Sequence, residues 1–323
     1  MNRLIRGLTS GFLLVTATLG FAQTDAFPSK PIQVVLTSTP GSQSDTLMRF
    51  LGTEVSKKLG QPLVITYQAS ASGTIGADQA KRARPDGYTL LLGGNTVMAA
   101  NVHLVKNLAY DPVRDFESVA LVTFNPLVLV VRSGLPVNSV KDFVAYAKAR
   151  PGELNYATGN AGNKVAVSQL ESLTGIKTTE IPYKGATPAI MDLVAGRVDF
   201  IMADPLVADP FIKQGTVRAL AVTGPIRMPT MKALPTMADA GVAGYQEFGS
   251  FLGIYAPHGT PKAVIDTLNE AFIKTIQSKE GQDFYDNLGL APRTSTPAGL
   301  ASYTREQIVF WEKLVRLSGL QAQ

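Results

Sequence analysis

A chain of 323 residues without a single cysteine excludes a disulfide framework, thiolate catalysis and cysteine-held metal clusters. Its 30 basic and 25 acidic residues leave a net charge of +5, too mild for the basic footprint of a nucleic-acid binder. The length suffices for two lobes with cores of their own, since single cores stop growing near roughly 250–300 residues.

The first element is an address. Arg3 and Arg6 form a positive start, residues 8–19 an apolar stretch, and Gly20-Phe21-Ala22 a small-x-small site, the pattern of a secretory signal peptide over 1–22 cut after Ala22. An anchoring helix is the competing reading. The apolar stretch, however, runs for about a dozen residues and is diluted by Thr9, Ser10, Thr16 and Thr18, against roughly twenty apolar residues for a span. Loss of Arg3 and Arg6 takes the basic count from 30 to 28 against 25 acidic residues, a mature charge near +3. The basic cluster Lys81-Arg82-Ala83-Arg84 falls at an expected helix C-terminus, where cations complement the dipole.

From Pro31 onward an apolar run, a Gly/Ser loop and a helical period recur, which predicts a doubly wound α/β fold. Strands are expected at 32–37, 63–67, 88–92 and 119–122. Helices are expected from Leu47, where Phe50, Leu51, Val55 and Leu59 keep helical spacing up to a stop at Gly60, and over 75–83. Asn125-Pro126 separates two adjacent apolar strands and marks the first crossing between lobes. A second series follows, with strands at 127–131, 154–158, 178–182, 198–203 and 218–223, and helices at 140–149, 165–173, 187–195 and 205–214. The tail from Thr260 reads as helix, with Val264, Leu268, Phe272 and Ile276 four apart, returning to cover the first lobe. Lobe 1 is therefore expected over 23–125 plus 224–323 and lobe 2 over 126–223, with hinges at Asn125-Pro126 and near Thr223-Gly224.

Two loops, 38–44 and 158–163, each follow a strand, are rich in small polar residues and open a helix. Such loops lie at the carboxyl ends of the strands, where helix N-termini offer unpaired N–H groups to an anion; the plainer alternative is that they only turn and cap. Ala71-Ser72-Gly73-Thr74-Ile75-Gly76 approximates a dinucleotide fingerprint, but it follows the second strand, starts with Ala71, and Gly93-Gly94-Asn95-Thr96 carries no acid for a ribose. It remains a third helix start for the same anion. Gly249-Ser250-Phe251-Leu252-Gly253 is not a nucleophile elbow, because the serine comes one place early. His103 and His258 lack partners at metal-ligand spacing, so no metal, cofactor or catalytic residue is expected. Asp45 is placed to serve a helix dipole before any role as a base. Asp204 either meets a ligand at the cleft or caps the helix opened by Pro205.

Taken in order, Lys30-Pro31-Ile32, Pro40-Gly41 with Asp45, Gly73-Thr74-Ile75-Gly76-Ala77, Pro85-Asp86-Gly87-Tyr88, Tyr110-Asp111-Pro112, Pro182-Tyr183-Lys184-Gly185 and Gly259-Thr260-Pro261-Lys262 form a specific series. Through them the chain resembles the substrate-binding proteins of tripartite tricarboxylate transporters, the Bug family. The resemblance implies a two-lobed periplasmic-binding-protein fold of the type II kind, with doubly wound, mainly parallel sheets and a cleft between lobes. It implies a monomeric receptor, not an enzyme, that closes on a small organic carboxylate and delivers it to membrane permease subunits. A receptor reporting to a membrane sensor kinase, or a hydrolase or isomerase on the same scaffold, are the alternatives. Carried over by position, the pocket comprises Ser42, Gln43, Ser44, Ser72, Gly73, Thr74, Asn95 and Thr96 in one lobe and Thr158, Gly159, Asn160, Gly162 and Asp204 in the other. The chain departs from the family at Ser42-Gln43, where Pro-Gly-Gly and a small residue are usual, at Ser72, and at Ala203-Asp204, where the acid comes one place later.

Overall fold

Four of the five residues in Ile32–Leu36 are fully buried, so this apolar run is covered on both faces and stands as a central strand, β1. The computed structural model of the protein describes residues 27–70, 72–159, 161–183, 186–224, 231–288 and 290–322; the signal expected at 1–22 lies outside them. After β1, Ser42 caps helix α1 (Gln43–Leu59) by accepting the Asp45 N–H, and Gly60 ends it in the left-handed conformation at φ 69°. Leu47, Met48, Leu51 and Val55 form its buried stripe, each burial stabilising by about 1.5–3 kcal/mol. β2 (Leu63–Tyr67), α2 (Thr74–Lys81) and β3 (Thr89–Gly94) follow. A π-helical turn (Thr96–Ala100) runs into the short α3 (Asn101–Leu104), and β4 (Phe116–Pro126) closes the first series.

The second series is β5 (Val128–Arg132), α4 (Val140–Lys148), β6 (Asn155–Thr158), α5 (Ala161–Thr174), β7 (Thr179–Pro182), α6 (Ala186–Val194), β8 (Phe200–Ala203), α7 (Pro205–Lys213) and β9 (Val217–Val222). Each helix and strand falls within a few residues of its expected place. One strand, β10 (Gly249–Pro257), has no counterpart in the sequence reading, and the helical tail divides into α8 (Lys262–Gln277), α9 (Lys279–Asn287) and α10 (Pro297–Ser318).

The strands form two five-stranded sheets, ordered β2-β1-β3-β10-β4 and β7-β6-β8-β5-β9. In each, four strands share a direction and one, β10 or β5, runs against both its neighbours. The sheets are thus mixed, and the reversed strand is the one that enters from the other sheet. Helices cover both faces of each sheet, and α8 packs on α1 and β4 as the tail reading expected. The last helix goes further. Leu300 near its start sits in the first sheet's core, while Trp311 and Leu314 are buried in the core of the second. Among the described residues no helix is long and apolar enough to cross a membrane.

Backbone passes between the sheets at two places. The first is Leu127, between β4 and β5. The second is later than Thr223-Gly224, because the segment after β9 stays with the second sheet: Met237, Val242 and Tyr245 join its core, and Gln246 exchanges hydrogen bonds with Gln169 of α5. The chain returns through Phe248 and Gly249. Thr223 ties the two passages together. Its backbone N–H donates to the Leu127 carbonyl at 2.8 Å, its carbonyl accepts the Phe248 N–H at 3.0 Å, and its buried hydroxyl accepts the Leu127 N–H at 2.7 Å while donating to the Phe248 carbonyl. Thr223→Val keeps the shape but leaves one buried N–H and one buried C=O short of a partner. A stability loss of about 2 kcal/mol or more is expected, measured as a lower urea midpoint with an unchanged slope.

Candidate functional site

The loop between β1 and α1 is held by Asp45, which is 2 % exposed. Its carboxylate accepts the Gly41 N–H and the Tyr67 hydroxyl, each at 2.7 Å, and pairs with the Arg49 guanidinium at 2.9 Å. Burial alone would raise its pKa, but these donors outweigh that and hold it below the ordinary carboxylate value. With the backbone so fixed, three hydroxyls gather at the start of α1: Ser38 to Ser44 at 2.7 Å, and Ser42 to both at 3.1 Å.

The second loop opens α2 at Gly73, whose φ of +68° and contacts demand glycine: a Cβ there would lie 2.7 Å from Val97 Cγ2 and 2.9 Å from Thr37 Cβ. No side chain caps α2, so its first N–H groups are left without an internal acceptor of that kind. Asn101 fixes the neighbouring turn by donating to the Ser72 carbonyl at 2.8 Å. At the end of β3, Asn95 bridges to β10, donating to the Gly249 carbonyl and accepting the Phe251 N–H, both at 2.7 Å.

Across from these, Asn163 in the first turn of α5 accepts the Gly159 N–H at 3.0 Å and donates to the Met202 carbonyl at 2.6 Å. Asp204 follows β8 and caps α7, accepting the Leu206 N–H at 3.0 Å. Burial pushes its carboxyl above the ordinary value, and that one N–H only partly counters it. The two roles weighed for Asp204 therefore coexist, since the capping residue also borders the cleft.

A cavity of about 460 Å³ lies between the two sheets' loop ends, within the range of small-molecule sites. Of the residues singled out from sequence, Ser44, Ser72, Gly73, Asn95, Thr96, Gly162 and Asp204 line it. Ser42, Gln43, Thr74, Thr158 and Gly159 are not among the lining residues. Ser42 stands behind Ser38 and Ser44 as cap and hydrogen-bond support, and the Thr158 hydroxyl is spent on Glu180 at 2.9 Å. Asn160 lies outside the described residues. Ser38, within the loop 38–44 singled out from sequence, also lines it; Thr37 and Ser70 extend the polar wall, and their position just after β1 and β2 was the available signal. Leu104, Phe248 and Trp311 also line the cavity; nothing in their local sequence announces it, because α3, the return crossing and α10 reach the cleft only through the tertiary fold. The histidines are spent on structure, His103 with the Ile308 carbonyl and His258 with Glu117.

Because Asp45 titrates below its unfolded value, its stabilisation is present above the ordinary carboxylate range and is lost as pH falls through the lowered folded value. Asp45→Asn is therefore expected to unfold at lower urea near neutral pH, with the gap to wild type closing below about pH 4. Paired urea titrations across pH measure this; a gap that stays constant into acid contradicts it.

The chain matches the sequence profile described as tripartite tricarboxylate transporter family receptor over residues 47–320. It is 33 % identical over 311 residues to Protein BugT of Bordetella pertussis, covering 94 % of each chain. Among solved structures it is similar to R. palustris Rpa4515 with adipate, at 32 % identity and TM-score 0.76, covering 92 % of this chain and 100 % of that one. It is also similar to MatC from Rhodopseudomonas palustris with bound malate, at 32 % identity and TM-score 0.71, covering 90 % and 100 %. A profile match across nearly all of the described residues, with a relative of this identity and coverage, means that the chain belongs to the tripartite tricarboxylate transporter receptor family.

Proposed function

We propose that this protein is a periplasmic solute receptor that binds a small organic carboxylate between its two lobes and delivers it to the membrane permease of a tripartite transporter. The observation that carries the reading is the convergence of helix starts on one cavity. Ser44 of α1, Gly73 before α2, Gly162 and Asn163 of α5 and Ala186 of α6 all line it. Helix N-termini present N–H groups and the positive end of the dipole, which together favour an anion without a cationic side chain. The solved relatives hold adipate and malate, both carboxylates.

Ser44, Ser72, Gly73, Asn95, Thr96, Gly162 and Asp204 are the proposed contacts, with Ser42, Gln43, Thr74, Thr158, Gly159 and Asn160 as supporting neighbours. The lobes divide at Leu127 and at Phe248-Gly249, which act as hinges. The receptor works as a monomer and as a binding protein rather than an enzyme, a reading supported by its membership of a receptor family. Export follows from the signal over 1–22, so intact mass of the periplasmic protein should correspond to a chain starting at Gln23.

Calorimetry and thermal denaturation with a panel of carboxylates test the reading. A ligand at a hundredfold excess over its Kd should stabilise the fold by about 2.7 kcal/mol, and X-ray scattering should show the particle contracting as the lobes close. Neither heat nor a melting shift from any acid in the panel would sink the proposal.

A further inference from the structure

Among the described residues five buried side-chain polar atoms have no hydrogen-bond partner, and two of them belong to residues that line the cavity, Ser70 Oγ and Trp311 Nε1. The other three, on Gln43, Thr275 and Tyr303, lie on residues outside the lining. A polar group buried without a partner forfeits the hydrogen bonds that water gives it in the unfolded chain. Ser70 follows β2, two residues before Ser72. Trp311, 3 % exposed, lies on α10, and its ring packs beside that of Phe248, the centroids 5.8 Å apart. The cluster around it is apolar, with Ala100, Leu104 and Leu127 among its members, and no described residue offers the indole N–H an acceptor. Other polar side chains of the lining are already engaged: Asn95 and Asn163 hold main chain, and Ser38 and Ser44 hold each other.

Resting on the carboxylate-receptor reading above, we propose that Ser70 and Trp311 are solute-binding residues, each donating a hydrogen bond to an oxygen of the bound acid. The indole N–H is a donor only and the serine hydroxyl donates as readily as it accepts, so the complement of both is an oxygen acceptor: carboxylate, hydroxyl or carbonyl. Both atoms are covered in this arrangement. Each contact therefore forms through a side-chain rotation as the solute enters, a common change at binding surfaces whose backbone stays in place. A donor that gains its first partner on binding strengthens the complex, while its removal takes no hydrogen bond from the free protein. Affinity and stability thus separate at these two residues.

Calorimetry and urea titration on the full mature chain, with succinate, adipate, hexanoate and 3-phenylpropanoate as probes, read the two quantities separately. With the acid that wild type binds most tightly, Ser70→Ala and Trp311→Phe should each weaken binding about three- to tenfold. Ser70→Ala should keep or raise the urea midpoint, because it removes an unpaired buried hydroxyl. Trp311 is the only tryptophan of the chain, so its emission should shift when the same acid saturates the wild-type protein, a readout that needs no variant. Wild-type affinity in Ser70→Ala, or a loss of stability that accompanies its loss of affinity, overturns the part assigned to Ser70. Wild-type affinity in Trp311→Phe, or emission unchanged at saturation, overturns the part assigned to Trp311. Either result leaves the carboxylate-receptor reading standing. No binding by any of the four acids overturns that reading and the inference with it.

Discussion

Thr223 sits where the backbone passes between the two sheets, and with its N–H, carbonyl and hydroxyl it binds Leu127 on one passage and Phe248 on the other. A buried backbone group without a partner costs about as much as a lost hydrogen bond, so the two passages are fixed relative to each other. Everything at the cleft depends on that constraint. It sets where β5 enters the second sheet and where β10 returns to the first, and each of these reversed strands lies beside the strand whose end faces the cavity. Leu127 and Phe248 themselves line the cavity, so the backbone passages and the cavity share residues. Helix α10 adds a second connection that is not backbone crossing but packing, with Leu300 in one core and Trp311 and Leu314 in the other.

The chemistry of the cleft follows from how its loops are braced. Asp45 spends its charge on Gly41, Tyr67 and Arg49, behind the loop rather than in the cavity. Asn95, Asn101 and Asn163 likewise spend their amides on backbone carbonyls and N–H groups. What faces inward on this side is neutral hydroxyl and main chain. Such a surface recognises an anion by geometry, because dipoles held in place need no reorganisation when the charge arrives. The rest of the lining is largely apolar, with Leu104, Phe248 and Trp311 beside the acid Asp204, and in a cavity of this kind shape and apolar area set which bodies fit.

Much of this was legible along the chain. The strands from β1 to β9 and the helices between them, apart from α3 and the π-helical turn before it, carry their own periods and stops, as in α1, where Ser42 and Gly60 bound a stripe of Leu47, Leu51 and Val55. Ser44, Ser72, Gly73 and Gly162 were legible as residues lining the cavity because a small polar residue between a buried strand and a helix lies at the ligand edge of an open sheet by geometry alone. β10 was not legible. It carries Gly249 and Gly253, and it is stabilised by pairing with β3 and β4, more than a hundred residues away, an energy that no local window contains.

The amino-acid sequence by itself determined the α/β class, the alternation of strands and helices up to β9, the loops that line the cavity and the family likeness, because propensity, period and capping act within a few residues. Tertiary structure alone decided which hydroxyls face the cavity and which brace it, as Ser44 and Ser42 do two residues apart. It also decided that the second passage lies at Phe248 and that Trp311, on the last helix, forms part of the wall. Those outcomes rest on contacts between residues far apart in the chain, whose strength depends on packing and on the loss of water when distant surfaces meet.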